Sequence, residues 1–309
     1  MPSPSITSSS VSADTYVAQT TSSSSSAEAI PASSVQTTSS SSSAEAIPAS
    51  SASAQSYSAS TPSSTPTPSS SPSTSGGNVV ARGLVYNTAS LTPLFEGSAI
   101  GWAYNWDSQP GGTIPSSMNF VPMLWNTSDL HLPHWVDNAN TAISNGATHI
   151  LGFNEPDLPA QANMSPQDAA NAWKPNMEQF GGKVKIGSPA VCNGDGATGL
   201  NWLQSFMTAC ASCQIDFLAI HWYGLATPDG VANLKKHIGD AKAMAGGRPI
   251  WLTEFAPSGS AADQQTFMSA MLPFLDDKSN GVERYAYYQV DGVLASGSSK
   301  TPLGDVYTA

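Results

Sequence analysis

Thr148-His149-Ile150-Leu151-Gly152-Phe153-Asn154-Glu155-Pro156-Asp157 is a short apolar run that ends on an amide and an acid. Such a run reads as a buried strand, and an acid just past its end has left the core and faces a site. The asparagine before it supplies an amide that can bind a hydroxyl. A second place of the same kind lies 99 residues further on, in Pro249-Ile250-Trp251-Leu252-Thr253-Glu254-Phe255. Glycoside hydrolysis needs two such carboxyl groups, one to protonate the leaving oxygen and one to meet the sugar carbon.

Outward from these two runs, six more recur with turn residues at their flanks. They cover 83–86, 99–104, 120–125, 184–188, 215–221 and 284–288, which makes eight with 149–153 and 249–253. Pro122 counts against full pairing of the third. Helical patterns lie between the later runs, at 135–145, 165–180, 200–210, 228–244 and 261–275. Ser165-Pro166 opens the second of them with a capping side chain and a proline at the first position, and Gly181-Gly182 stops it. Strands alternating with helices predict a parallel sheet. Eight of them predict an α/β fold, a (β/α)8 TIM barrel, with an incomplete helix ring after the first two strands. A doubly wound open sheet lacks support, because no glycine-rich phosphate loop follows a strand. Glu155 then follows strand four and Glu254 strand seven, both on the face where barrel active sites sit.

The chain changes character near residue 78. Residues 1–78 are mostly Ser, Thr, Ala and Pro, without Lys, Arg or Trp. QTTSSSSSAEAIPASS occurs twice, from Gln19 and from Gln36. This composition buries too little apolar surface to offset ordering entropy, so a disordered segment is expected, with the makeup of an O-glycosylated stalk. Residues 79–309 form the expected catalytic domain. They hold all eight Trp, all three Cys and all eleven basic residues; only Asp14, Glu28 and Glu45 of the 22 acids lie before them. An acidic chain, net −11, argues against nucleic acid and anionic membranes as partners. No apolar run approaches the ~20 residues of a membrane span. Met1-Pro2-Ser3-Pro4 does not open a visible signal peptide; secretion to the extracellular space or cell wall is still the expectation from the stalk composition. Cys210-Ala211-Ser212-Cys213 lacks the second pair a zinc ribbon needs, which favours a local disulfide and leaves Cys192 as a free thiol or an alternative partner. No metal and no cofactor are expected, and a monomer is.

The other strand ends carry indoles, phenols and amides: Trp102-Ala103-Tyr104-Asn105-Trp106, Leu124-Trp125-Asn126, His221-Trp222-Tyr223 and Tyr287-Tyr288-Gln289. Aromatic faces suit the C–H faces of sugar rings and polar edges suit their hydroxyls. A single Trp is as often packing, and Trp135, Trp173 and Trp202 fall within helices. A lone strand-end Glu is more often a solvated charge or a helix-start acid; the pair is what changes that. Asp157 reads as a helix-start or loop residue, and His221 as either a core histidine or a substrate contact.

Five segments together resemble glycoside hydrolase family 128: Arg82-Gly83-Leu84-Val85-Tyr86-Asn87, Trp102-Ala103-Tyr104-Asn105-Trp106, Gly152-Phe153-Asn154-Glu155-Pro156-Asp157, Asp216-Phe217 with His221-Trp222-Tyr223, and Trp251-Leu252-Thr253-Glu254-Phe255. The C-x-x-C pair is also typical of the group, and the resemblance covers 82–309. It implies a clan A barrel that hydrolyses β-1,3-glucan with retention, with endo-type cleavage expected. It implies Glu155 as acid/base, Glu254 as nucleophile, Asn154 on the sugar 2-hydroxyl and Tyr223 orienting the nucleophile. Trp102, Asn105, Trp125 and Trp222, with His221, are the further substrate contacts expected. A non-catalytic β-glucan-binding wall protein and a hydrolase of another β-glycan are the alternatives.

Overall fold

The computed structural model describes residues 80–309, and the predicted stalk lies outside these residues. Eight parallel strands follow one another along the chain. They are β1 (Arg82–Val85), β2 (Ile100–Tyr104), β3 (Asn119–Phe120), β4 (His149–Ile150), β5 (Lys185–Ile186), β6 (Leu218–Leu225), β7 (Ile250–Ser258) and β8 (Val282–Tyr287). Six of them pair in the order β3-β2-β1-β8-β7-β6, and β4 pairs with β5. Single parallel bridges, Met123 to Leu151 on one side and Gly187 to Phe217 and Val191 to Ile220 on the other, join that pair to both edges. The result is a closed (β/α)8 barrel.

The third, fourth and fifth strands are short for a sequence reason. Pro122 has no N–H to give, and Gly152, Gly187 and Pro189 interrupt the others. Five helices lie where the patterns predict: α1 (Leu132–Ser144), α2 (Pro166–Asn176), α3 (Gly199–Ala209), α4 (Pro228–Met244) and α5 (Ala261–Asp276). The Ser165 hydroxyl accepts from Asp168 N at 3.1 Å, which caps α2 as expected. The ring is incomplete where predicted. Only a 3-10 helix, Ala89–Phe95, follows β1, and no helix follows β2. A sixth helix, α6 (Pro302–Thr308), and a small antiparallel hairpin, β9 (Ala295–Ser296) with β10 (Ser299–Lys300), extend the C-terminus. Among the described residues no helix is long and apolar enough to cross a membrane.

Side-chain alternation divides the core in two. Val85, Trp102, Tyr104, Met123, Leu151, Phe217, Trp251 and Ala286 point inward and fill the barrel. A larger cluster, with Leu252, Phe255, Tyr285 and Trp222, lies between strands and helices. Trp102 and Trp251 meet at 5.0 Å, and the buried Arg284 guanidinium lies 4.6 Å over Trp251. A Cβ on Gly83 would come within 2.2 Å of the Trp102 indole, so a glycine there makes room for this floor. The floor closes the barrel at its N-terminal end and leaves the C-terminal end as the place for a site.

Candidate active site

Glu155 and Glu254 come together at the C-terminal end of the barrel, one on each side of the His221 imidazole. His221 Nδ1 is 3.0 Å from Glu155 Oε1, and Nε2 is 3.5 Å from Glu254 Oε1. The second contact is off line for a hydrogen bond, and Nε2 has no bonded partner, so it is an electrostatic contact. All three residues are buried.

Strict alternation along β7 would point Glu254 away from its partner. Trp251 faces in and Leu252 out, so Thr253 should face in and Glu254 out. Ile220 pairs with Leu252 but His221 pairs with Glu254, leaving Thr253 as an extra residue. The register against β8 slips at the same place. This one-residue bulge turns Glu254 inward, a use of bulges that recurs beside active sites. Glu155 is aimed by a different device. Its φ is +41°, a left-handed backbone that costs a non-glycine residue roughly 1–3 kcal/mol. The hydrogen bond from Glu155 N to Ala190 O, at 2.8 Å, helps to hold it.

Glu254 is the most heavily bonded group of the site. Oε2 accepts from the Tyr223 hydroxyl. Oε1 accepts from Trp106 Nε1 at 2.7 Å and from the Tyr104 hydroxyl at 3.2 Å. Burial, followed by the charge of Glu254, holds Tyr104 and Tyr223 well above the usual phenol range, so both stay protonated donors. Asn154 is buried beside Glu155; its Nδ2 reaches Gln161 Oε1 at 3.4 Å, and its Oδ1 has no partner, free to accept from a hydroxyl.

His221 is fully buried, and its position corrects the expected substrate contact: it touches the glutamates instead. Burial lowers its proton affinity, but Glu254, Glu155 and Asp157 more than offset this and raise its pKa. A histidine raised on folding stabilises the fold below its unfolded value, about 6.5. That contribution is lost as pH rises through the higher folded value. The thermal midpoint of the protein should fall on going from pH 6 to well above neutrality by more than that of His221→Gln. Equal pH slopes in a melting series would contradict the ion-pair account of His221.

Two further expected contacts are corrected. Trp102 is wholly buried in the barrel floor and donates Nε1 to Ala81 O at 3.0 Å. Trp222 lies between the inward His221 and Tyr223, so it faces out; it stacks on Phe267 of α5 and donates to Asn233 of α4 at 2.8 Å. Asn105, half-buried, spends its amide on a turn: Nδ2 donates to Gln109 O, and Oδ1 accepts from Asp107 N. Trp125, also half-buried, stacks on His131 beside the site. Trp135, Trp173 and Trp202 are buried packing residues.

Asp157 points away from the chemistry. It accepts from Gly199 N, at the start of α3, at 2.8 Å, and from the Cys192 thiol at 2.9 Å. Burial and then Asp157 push that thiol up to about 12, so it is an inert free cysteine. Cys210 and Cys213 form a disulfide. Tyr104, Trp106 and Tyr288, which belong to the strand-end aromatics but not to the expected substrate contacts, also border the glutamate pair. Trp106 packs edge-on between the two tyrosines, with ring centroids 5.7 and 5.6 Å away. Among the described residues no cluster of three or more His, Cys, Asp or Glu could hold a metal.

The glycosyl hydrolase catalytic core model matches residues 83–307. Alkali-sensitive linkage protein 1 of Schizosaccharomyces pombe is 36% identical over 216 residues, which is 66% of this chain and 37% of that relative's length. A curdlan-specific exo-β-1,3-glucanase of Blastomyces gilchristii, from subgroup III of glycoside hydrolase family 128 and solved with glucose, is 39% identical with a TM-score of 0.70. It covers 75% of this chain and 99% of its own. A subgroup I endo-β-1,3-glucanase of Amycolatopsis mediterranei, solved with laminaritriose, is 31% identical with a TM-score of 0.65, covering 74% of this chain and 98% of its own.

Proposed function

The chain belongs to the glycosyl hydrolase catalytic core family and, within it, to glycoside hydrolase family 128; from that premise we propose that it hydrolyses β-1,3-glucan with retention of configuration. The observation that carries the proposal is the pair of strand-end glutamates separated by a single imidazole. Retention asks for carboxyl groups about 5–5.5 Å apart, inversion for about 6.5–9.5 Å. The retaining reading rests on membership of family 128.

Glu155 donates a proton to the glucosidic oxygen while Glu254 attacks the anomeric carbon from the opposite face. The glucosyl-enzyme that results is opened by water, whose proton returns to Glu155. Asn154 Oδ1, buried and unpartnered, is the acceptor for the sugar 2-hydroxyl. Tyr223 keeps Glu254 oriented. Trp125 serves as a sugar contact at the rim, and Asn105 does so with the amide hydrogen and lone pair that its turn leaves over. All of these steps use side chains of this chain alone.

The substrate class is supported by the solved relatives, which act on β-1,3-glucan in exo and endo fashion. Endo-type cleavage is our reading for this chain; glucose as the sole early product would replace it with exo action. Incubation with laminarin, a mixed-linkage glucan and cellulose, followed by product sizing, tests the proposal. Sugar released from laminarin is expected. Release only from the other polymers, or from none, would overturn it.

We place residues 1–78 as an O-glycosylated spacer that holds the catalytic domain, 79–309, at the cell wall or outside the cell, as a monomer. Removal of residues 1–77 should leave turnover of soluble glucan nearly unchanged, because the described domain buries its own core. A large loss of activity would show instead that the segment takes part in the site.

A further inference from the structure

Glu254 has two oxygens, and they are not held alike. Oε1 receives the Trp106 indole N–H at 2.7 Å and lies 3.2 Å from the Tyr104 hydroxyl. The Tyr104 proton is shared, because the Thr253 carbonyl lies 3.1 Å from the same hydroxyl. An indole has one N–H and no second acceptor nearby competes for this one, so Trp106 is the dedicated donor on Oε1. Oε2 has only Tyr223. Oε1 thus carries two donors on its two lone-pair sites, and Oε2 keeps one site free.

Trp106 is brought to this contact at a cost. Its φ is +61°, a left-handed backbone at a bulky residue, and such a conformation persists only where the surroundings over-determine it. Here the surroundings are Tyr104 and Tyr288, each edge-on to the indole, and the carboxylate itself. Packing alone could be served by phenylalanine; the short N–H bond to a carboxylate could not.

We propose that Trp106 is a positioning residue for the nucleophile: its indole N–H pins Glu254 Oε1, leaves Oε2 as the attacking atom, and stabilises the carboxylate as it departs from the sugar. The proposal rests on the glycoside-hydrolase reading and adds a residue and an atom assignment to it. In the first step an Oε2 lone pair forms the bond to the anomeric carbon. The glucosidic C–O bond breaks, its electron pair stays on the leaving oxygen, and that oxygen takes the proton of Glu155. Oε1 is then the carbonyl oxygen of an ester, with the indole N–H still on it. In the second step water adds to the anomeric carbon and gives a proton to Glu155. The electron pair of the C–Oε2 bond returns to the carboxyl group, and the waiting N–H meets the charge on Oε1.

Loss of that N–H should therefore slow the second step more than the first. With a dinitrophenyl β-glucoside oligomer, whose leaving group departs easily, the second step limits kcat. Trp106→Phe should lower kcat about 10- to 100-fold, the effect of one hydrogen bond to a charged group. KM should fall with it and kcat/KM should change much less, since the glucosyl-enzyme accumulates. A packing residue would instead raise KM or lower kcat/KM in step with kcat. The sulfur isostere of tryptophan at position 106, which keeps the ring shape without the N–H, should behave as Trp106→Phe does and controls for misfolding. Unchanged kcat in both variants would overturn the proposal. A second readout needs no turnover. The indole N–H resonance of Trp106, assigned by its loss in Trp106→Phe, should shift upfield in Glu254→Ala. If it stays in place, Trp106 does not hold Glu254, whatever the substrate proves to be. If it moves but no glycoside is cleaved by the parent protein, the contact stands and the hydrolase reading falls.

Discussion

Replacement of Glu254 by alanine should lower kcat on laminarin by roughly 10,000-fold or more, because no other group can form the covalent bond. Tyr104 and Tyr223 surround the position, but burial keeps both phenols protonated. Asp157 is turned away onto the start of α3. The three donors that served Glu254, the Trp106 N–H and the two phenols, remain around the vacated space. Azide is a small anion and would be received there. It would attack the face that Glu254 used, and the product should be the inverted α-glucosyl azide. NMR of the isolated azide reports its configuration. A retained β-azide from Glu254→Ala would mean that the roles of the two glutamates are exchanged.

Glu155→Ala should be the second most damaging change, and its effect should depend on the leaving group. A sugar alkoxide needs a proton as it departs, so hydrolysis of laminarin should fall by about 10²- to 10⁴-fold. A dinitrophenolate needs none, so kcat/KM for a dinitrophenyl glycoside should fall far less. Water must still be activated in the second step, so kcat on that substrate should drop until azide is added. The product should then be the retained β-azide. Equal losses of kcat/KM on both substrates would argue that Glu155 acts by charge rather than by proton transfer.

The barrel was legible because eight apolar runs with turn residues between them leave few other folds. The strand-end places of Glu155 and Glu254 followed from the same count. What was not legible is the direction in which Glu254 points. Alternation along β7 sends it outward, and only the bulge at Thr253, a slip of pairing that no residue type announces, brings it back. Trp222 could have been placed correctly. If His221 and Tyr223 face the barrel, the residue between them cannot. Trp102 lies two residues below Tyr104 and therefore one layer deeper, in the floor. Trp106 lies beyond the end of β2 on a left-handed backbone that is usually given to glycine, so its arrival at Glu254 had no pattern to betray it. The helix α6 did have one. Thr301 caps it from Gly304 N at 3.1 Å, with Pro302 at the first position.

A double displacement by Glu155 as acid/base and Glu254 as nucleophile on a β-1,3-linked glucan is the central proposal. Its most direct test is a proton NMR time course of laminarihexaose hydrolysis, read at the anomeric protons before mutarotation. New reducing ends should appear first as the β-anomer. Products appearing first as the α-anomer would require a water between the carboxyl groups and contradict the double displacement; no new reducing ends at all would contradict the hydrolase itself.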